Sequence, residues 1–295
     1  MTPSYLLDAP GESARLIAKV DPSLWADRYI RGLAVEGPIL EVGAGPMHLI
    51  KAVVASTRQA GVAVDISLAR LQDGARRTWP DPEERSSRPG SGNDVSSGRD
   101  REPPAPVCGE ATRLPLRAST FGLSYARFLL EYLPDPAAAV LEMARVTRPG
   151  GRVFLQDLDG QLLLHYPVDP ELQAALEHFV TKTQGRFDPN VGRKLFSCAR
   201  NAGLKAITVQ LEPYHLIAGA ADDATLALWD AKLTHALPAA TDALGPSLAA
   251  LTKQRFMHYL ADPETLTYSN LFTIIGCVPA ELAIPPNRGD FDVVL

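Results

Sequence analysis

Residues Pro38-Ile39-Leu40-Glu41-Val42-Gly43-Ala44-Gly45-Pro46 constrain this chain more than any other stretch. A short apolar run stopped by glycines has the character of a strand buried on both faces and followed by a tight turn. Helical spacing then resumes over 46–59 through Met47, Leu49, Ile50, Val53 and Val54. A strand, a glycine turn and a helix in that order form the opening unit of a doubly wound sheet. Ligands of such sheets lie beyond the carboxyl ends of the strands.

The same alternation continues. Gly61 to Asp65 is a second short strand, and Ser67 can cap a helix running to about Arg77. Leu123 to Ala126 predicts a strand, Ala137 to Val146 a helix stopped by Arg148-Pro149-Gly150-Gly151, and Arg152 to Asp157 another strand. Helices follow near 170–183 and 190–202, then a strand over Lys205 to Glu212. Strand and helix alternating from residue 38 to 212 predict an α/β fold with a doubly wound parallel sheet. Residues 1–37 read as an N-terminal helical extension, helical over 12–34 and broken at Asp21-Pro22. Residues 222–260 read as additional helices with breaks near Pro238 and Pro246, ahead of a last strand over Ser269 to Cys277. Residues 80–106 have no hydrophobic period and are rich in Pro, Gly, Ser and charge, so a disordered insertion is expected there.

Several function classes are disfavoured by composition. The chain of 295 residues carries a net charge of -5, which argues against a phosphate-dominated partner such as nucleic acid. No apolar run approaches the roughly 20 residues of a membrane span, and the first residues lack the pattern of a secretory leader. Cys108, Cys198 and Cys277 are few, odd in number and far apart. That spacing fits a reducing cytoplasm and supports neither a disulfide scaffold nor a zinc site. The histidines show no metal-ligand spacing, so no metal is expected.

The glycine turn also discriminates between ligands. A dinucleotide fingerprint requires a third glycine where this chain has His48. Glu41, two residues before Gly43, would repel a pyrophosphate but suits the ammonium of an amino-acid-bearing cofactor. Asp65, ending the second strand, can accept both hydroxyls of a ribose. Glu110 follows the third strand and could accept from an adenine amino group.

In the order EVGAGP, VDIS, GEATRLPL, STFGLSYARFLLEYLPDP and LEMARVTRPGG, residues 38–157 resemble the class I S-adenosylmethionine-dependent methyltransferases of the small-molecule type, including those of quinone and natural-product biosynthesis. The resemblance implies a mostly parallel seven-stranded Rossmann-like sheet, with 38–295 as the methyltransferase domain. It also implies S-adenosylmethionine as cofactor and a small-molecule acceptor. Glu41, Gly43 and Gly45 would hold the methionine part and Asp65 the ribose. Ile66 would lie against the adenine, Glu110 and Ala111 at its edge, and Ala126 and Arg127 beside the sulfonium. The family usually has Gly where this chain has Met47.

Methyl transfer is an in-line displacement that a base assists only if the nucleophile must lose a proton. Asp157 and His165 are the candidate bases because they follow the fifth strand. Tyr166 and Tyr214 are the candidate acceptor-binding residues. The helices at 222–260 would form a cap over the acceptor or a homodimer contact. The alternatives are a non-methylating descendant that keeps the nucleoside site, and a nicotinamide oxidoreductase, which His48 and Glu41 oppose. A nucleic-acid methyltransferase lacks support, because no Asn/Asp-Pro-Pro-Tyr type motif follows the fourth strand.

Overall fold

A computed structural model describes residues 12–18, 20–77 and 102–280. Seven strands form one sheet: β1 (Ile39–Val42), β2 (Gly61–Asp65), β3 (Ala105–Cys108), β4 (Phe121–Arg127), β5 (Thr147–Tyr166), β6 (Lys205–Ala218) and β7 (Leu266–Cys277). Their spatial order is β3-β2-β1-β4-β5-β7-β6. The first five are parallel, while β7 runs antiparallel to both β5 and β6. The expected α/β architecture, doubly wound and mostly parallel, is the one observed. Its order reverses beside β1, the place where a crevice opens at the strand ends.

β1 is buried along its whole length and so divides two cores. Leu40 and Val42 face one side, with Val62, Val64 and Met143. Ile39 faces the other, with Ile50, Val53, Tyr125 and Phe154. Helix α3 (His48–Thr57) and helix α4 (Leu68–Arg76) follow β1 and β2. Helices α5 (Pro136–Val146) and α7 (Leu195–Asn201) cover the opposite core, while α6 (Pro170–Lys182) lies between them in the chain.

The N-terminal helices α1 (Glu12–Ala18) and α2 (Pro22–Tyr29) are separated at Asp21-Pro22 as expected. Asp21 accepts from Ser23 N and Leu24 N, which caps α2. Residue 37 is no packing boundary: Trp25, Ala26 and Ile30 share a core with Ile39, Tyr125 and Phe154. The indole Nε1 of Trp25 donates to Gln156 Oε1 at 2.8 Å, locking α2 to β5.

Three expectations about elements are corrected. Helix α8 (Asp223–Leu244) continues through Pro238, and the break falls at Gly245-Pro246, where Gly245 has φ +81°. Proline removes one donor from the ladder, but packing of α8 along α9 (Pro246–Ala261) and α6 holds the helix. β5 extends well beyond 152–157, because its ends keep pairing with β4 and β7. Most of the stretch 80–106 lies outside the described residues, but Ala105 and Pro106 belong to β3 and pair with Val62 and Ala63.

Candidate functional site

A cavity of about 460 Å³ opens at the carboxyl ends of β1, β2, β3 and β4. Its floor is the glycine turn. Gly43 has φ +76° and Gly45 φ +50°, a left-handed backbone that favours glycine. A Cβ at Gly43 would come within 2.8 Å of the Leu129 side chain. The turn is held from two sides. Gly43 N and Ala44 N both donate to Val64 O, at 2.8 and 3.0 Å. Gly45 N donates to Asp65 Oδ2 at 2.8 Å, while Asp65 Oδ1 accepts from Ser67 N at 2.8 Å.

Met47 occupies the N-cap of α3 with φ +59°, and its side chain makes no capping bond. It is fully buried in the core beside Ile50 and Leu71 and does not line the cavity. Glu41 supplies the missing cap: its Oε2 accepts from Ile50 N, the third helical amide, at 3.0 Å. Burial pushes the Glu41 carboxyl up to about 8, against the lowering effects of Tyr125, the Ile50 amide and Arg127. The buried Tyr125 phenol is itself raised, by desolvation and by Glu41.

The structure brings Glu41, Gly43, Gly45, Asp65, Ile66, Glu110, Ala111 and Arg127 to the wall of this one cavity. Ile66 presents an exposed apolar side chain there. Glu110 and Ala111 form the tight turn after β3, closed by Arg113 N donating to Glu110 O at 3.1 Å. Ala126 is the exception. Its side chain is buried in the core with Val42 and Leu130, and the wall at this point comes from Arg127, Phe128 and Leu129.

Neither candidate base reaches the cavity. Asp157 is fully buried and accepts from Leu130 N, Glu131 N and Leu158 N. It therefore shapes the turn after β4 from below. Desolvation and the nearby Glu131 raise it well above the usual carboxylate range. Its strand neighbour Asp159 is paired with Arg193. His165 lies on the far part of β5, with its ring nitrogens 2.7 Å from Thr267 Oγ1 and Leu162 O. It packs against Phe256 and Tyr259, and burial lowers it. Tyr166 is 72% exposed at the end of β5, away from the cavity. Tyr214 stands one layer behind the wall, edge-to-face with Phe128 at 5.6 Å.

Several cavity residues escaped sequence reasoning. His48, noticed only for failing the dinucleotide pattern, is the first residue of α3 and lines the cavity. Both its ring nitrogens are shielded from solvent and lack a hydrogen-bond partner. Desolvation, reinforced by Arg127, lowers it to about 4, so it is neutral at pH 7. Leu16 of α1, Leu129, Tyr132 and Asp135 complete the wall. Tyr132 carries it outward to Phe187, 5.7 Å away, and to the apolar cluster containing Ala239 of α8. The signal was present in FLLEYLPDP, which follows β4 and had to pass the strand ends.

The donor set suits an amino-acid-bearing nucleoside. Carboxylates end β2 and follow β3, Gly43 has no room for a side chain, and the orphaned nitrogens of His48 leave polar capacity unused. Among the described residues no cluster of side chains could hold a metal ion, and no helix is long and apolar enough to cross a membrane.

Comparison with known proteins agrees with this geometry. Residues 40–155 match the methyltransferase domain family. A demethylmenaquinone methyltransferase of Mycobacterium sp. (strain KMS) is 48% identical over 61 residues, 21% of this chain and 26% of that protein. The matched part thus spans about a quarter of the length of such curated relatives. A putative methyltransferase from Bacillus halodurans superposes with TM-score 0.52 at 14% identity, covering 86% of this chain and 98% of that one. A Haemonchus contortus phosphoethanolamine N-methyltransferase 2, solved with S-adenosylhomocysteine, gives TM-score 0.52 at 11% identity, covering 87% and 52%. Residues 40–155 thus match the methyltransferase domain family, and the seven-stranded sheet around them has the Rossmann-like fold of the methyltransferase structures it superposes on.

Proposed function

We propose that the protein transfers a methyl group from S-adenosylmethionine to a small-molecule acceptor. One observation carries this most strongly: Glu41, the Gly43–Gly45 turn, Asp65 and Glu110 converge on one cavity, in the order in which such a cofactor presents ammonium, ribose and base. When bound, the cofactor supplies an electrophilic methyl group on a sulfonium. The chain's residues then bind and orient. Asp65 keeps lone pairs for ribose hydroxyls while it fixes the Gly45 amide. Glu41 faces the ammonium, and Ile66 and Leu129 provide apolar surface for the base and ribose. Excluding water strengthens each of these contacts.

Transfer by positioning, without an obligatory base, suits this cavity. Asp157 and His165 lie outside it, and His48 is too weak a base at about 4. The similarity to demethylmenaquinone methyltransferases supports a quinol or related phenol as the first acceptor to try. The cluster around Ala239, which reaches the cavity through Tyr132, supports placing helix α8 on the acceptor side. The three cysteines stand free, which supports a reducing compartment such as the cytoplasm. Incubation with methyl-labelled S-adenosylmethionine and a panel of quinols, phenols, carboxylic acids and amines tests the proposal. Labelled product is expected from at least one acceptor. Tight binding of S-adenosylmethionine with no product from any acceptor class would favour a non-methylating descendant.

A further inference from the structure

Arg127 ends β4 and lines the cavity beside the glycine turn. Its Nε donates to Gln156 Oε1 at 3.2 Å, and its guanidinium carbon lies 4.0 Å from the centre of the Phe128 ring. Among the described residues no carboxylate forms a salt bridge with it. The two acids that influence it are Glu41 and Asp157. Glu41 is pushed up to about 8, which leaves it largely protonated at pH 7 before the cofactor binds, and once ionised it would be neutralised by the cofactor's ammonium rather than by the guanidinium. Asp157 has its oxygens occupied by three backbone amides. Tyr214, the remaining partner, is a phenol. The guanidinium is therefore a desolvated cation facing a cavity without a fixed counter-anion.

Burying a charge without its opposite is costly, so such a group persists only when it is held. This one is held. Gln156 Oε1 accepts from Arg127 and also from Trp25 Nε1 at 2.8 Å, while Gln156 Nε2 donates to Thr273 Oγ1 at 2.8 Å. Helix α2, β5 and β7 together fix the cation at the wall. A guanidinium also presents several donors in a planar fork, of which the described contacts use few.

A sulfonium brought into the same cavity adds a second positive charge in a medium of low dielectric. An anion between the two relieves the repulsion. We infer that Arg127 is the anion-recognition residue of this cavity, and that the methyl acceptor binds there as an ionised acid, a phenolate, enolate or carboxylate, rather than as an amine. The inference rests on the methyl-transfer reading and specifies its substrate class. The displacement balances without a base. The electron pair of the anionic oxygen or carbon forms the bond to the methyl carbon, and the carbon–sulfur bond breaks with its pair kept on sulfur. One negative and one positive charge disappear together, and an ionised oxygen has no proton to lose during the step. An ammonium acceptor would be repelled by Arg127 and would have to lose a proton before transfer.

The same oxyanion chemistry is available from the cofactor's own carboxylate, so the test separates the two sources. Calorimetry on wild type, Arg127→Gln and Arg127→Lys would measure S-adenosylhomocysteine and 5′-methylthioadenosine, which lacks the carboxylate. The homocysteine complexes would then be titrated with benzoate and with benzylamine, one ring carrying opposite charges. Wild type is expected to prefer benzoate by about tenfold or more, the loss of one charge-assisted contact. Arg127→Gln should abolish that preference, with any change in S-adenosylhomocysteine affinity matched by an equal change for 5′-methylthioadenosine. Arg127→Lys should keep part of the preference. The inference is overturned if wild type shows no selectivity for benzoate, whether both probes bind or neither does. It is equally overturned if Arg127→Gln weakens S-adenosylhomocysteine about tenfold or more with 5′-methylthioadenosine unchanged, since the cofactor's carboxylate then takes the guanidinium. Should the Gln variant not fold, wild-type selectivity and the Lys variant decide. Wild type failing to bind S-adenosylhomocysteine at all contradicts the methyl-transfer reading instead.

Discussion

Asp65 Oδ2 accepts from the Gly45 amide at 2.8 Å, which makes the acid ending β2 and the glycine turn after β1 a single structural unit. Its other oxygen accepts from Ser67 N, and Arg70 lies 4.0 Å away. Asp65→Ala should therefore loosen the turn as well as remove the proposed ribose contact. Each charge-assisted bond contributes roughly 1.5–3 kcal/mol. S-adenosylhomocysteine affinity should fall by about tenfold or more, and chemical denaturation should show a lower midpoint. Unchanged affinity would remove Asp65 from the site.

Glu41 makes stability depend on pH with a definite sign. Its carboxyl is raised to about 8 in the folded protein, from 4.5. Between those values the folded chain holds a proton that the unfolded chain has released, so this group's contribution to stability falls as pH rises from 4.5 to 8. His48, lowered from 6.5 to about 4, acts oppositely, and its contribution falls as pH drops through that range. Glu41→Gln keeps an oxygen for Ile50 N and should remove the first slope. Its melting temperature should exceed wild type at pH 8 and converge with it near pH 4.5. A pH-independent difference between the two proteins contradicts the assignment.

The same carboxyl should report on the cofactor. An ammonium placed beside a protonated Glu41 favours its ionised form. Binding of S-adenosylhomocysteine at pH 7 should release protons, up to about one per chain. Calorimetry in phosphate and in Tris, whose ionisation enthalpies differ, reads this directly. Equal heats in both buffers would show that Glu41 does not face the ammonium.

Met47 has a left-handed backbone and a fully buried side chain, so two effects oppose each other. Glycine would relieve about 1 kcal/mol of backbone strain but forfeit the side-chain burial, about 1.5–3 kcal/mol before any cavity cost. Both Met47→Gly and Met47→Ala should be less stable than wild type, with Ala the worse because it keeps the strain. Affinity for S-adenosylhomocysteine should change little, since Met47 does not line the cavity. A Gly variant more stable than wild type would show that strain outweighs packing.

Gln156 joins three elements through one side chain. Gln156→Leu leaves the Trp25 indole and Arg127 without this acceptor, and each lost partner in a buried setting costs about 1–3 kcal/mol. Unfolding should begin at lower denaturant, with Trp25 fluorescence shifted to longer wavelength. An unshifted spectrum at wild-type stability would mean that α2 docks through its apolar face alone.

The legible parts of the sequence were those where a local pattern meets a backbone requirement. Pro38 to Gly45 announced β1 and its turn because buried parallel strands are apolar throughout and tight turns need glycine. Asp65 and Glu110 were legible because strand ends in this fold face ligands. Residues whose role depends on long-range packing were not. Gln156 meets Trp25 across 131 positions and Arg127 across 29. His165 and Asp157 followed the right strand but face Thr267 and the Leu130 turn. Residue spacing on an irregular strand does not reveal direction: Gly160 and Leu162 both have positive φ, and the register shifts between Asp159 and Leu164. Pro238 misled for a related reason, because helix–helix packing outweighed one missing donor.

The central claim is that the cavity at the ends of β1 and β2 receives S-adenosylmethionine. Titration of wild type and Asp65→Ala with S-adenosylhomocysteine and with NAD tests it most directly. Saturable binding of S-adenosylhomocysteine at one site per chain, weakened about tenfold or more by Asp65→Ala, with no binding of NAD, is the predicted result. Binding of NAD in preference, or S-adenosylhomocysteine binding indifferent to Asp65, would contradict it.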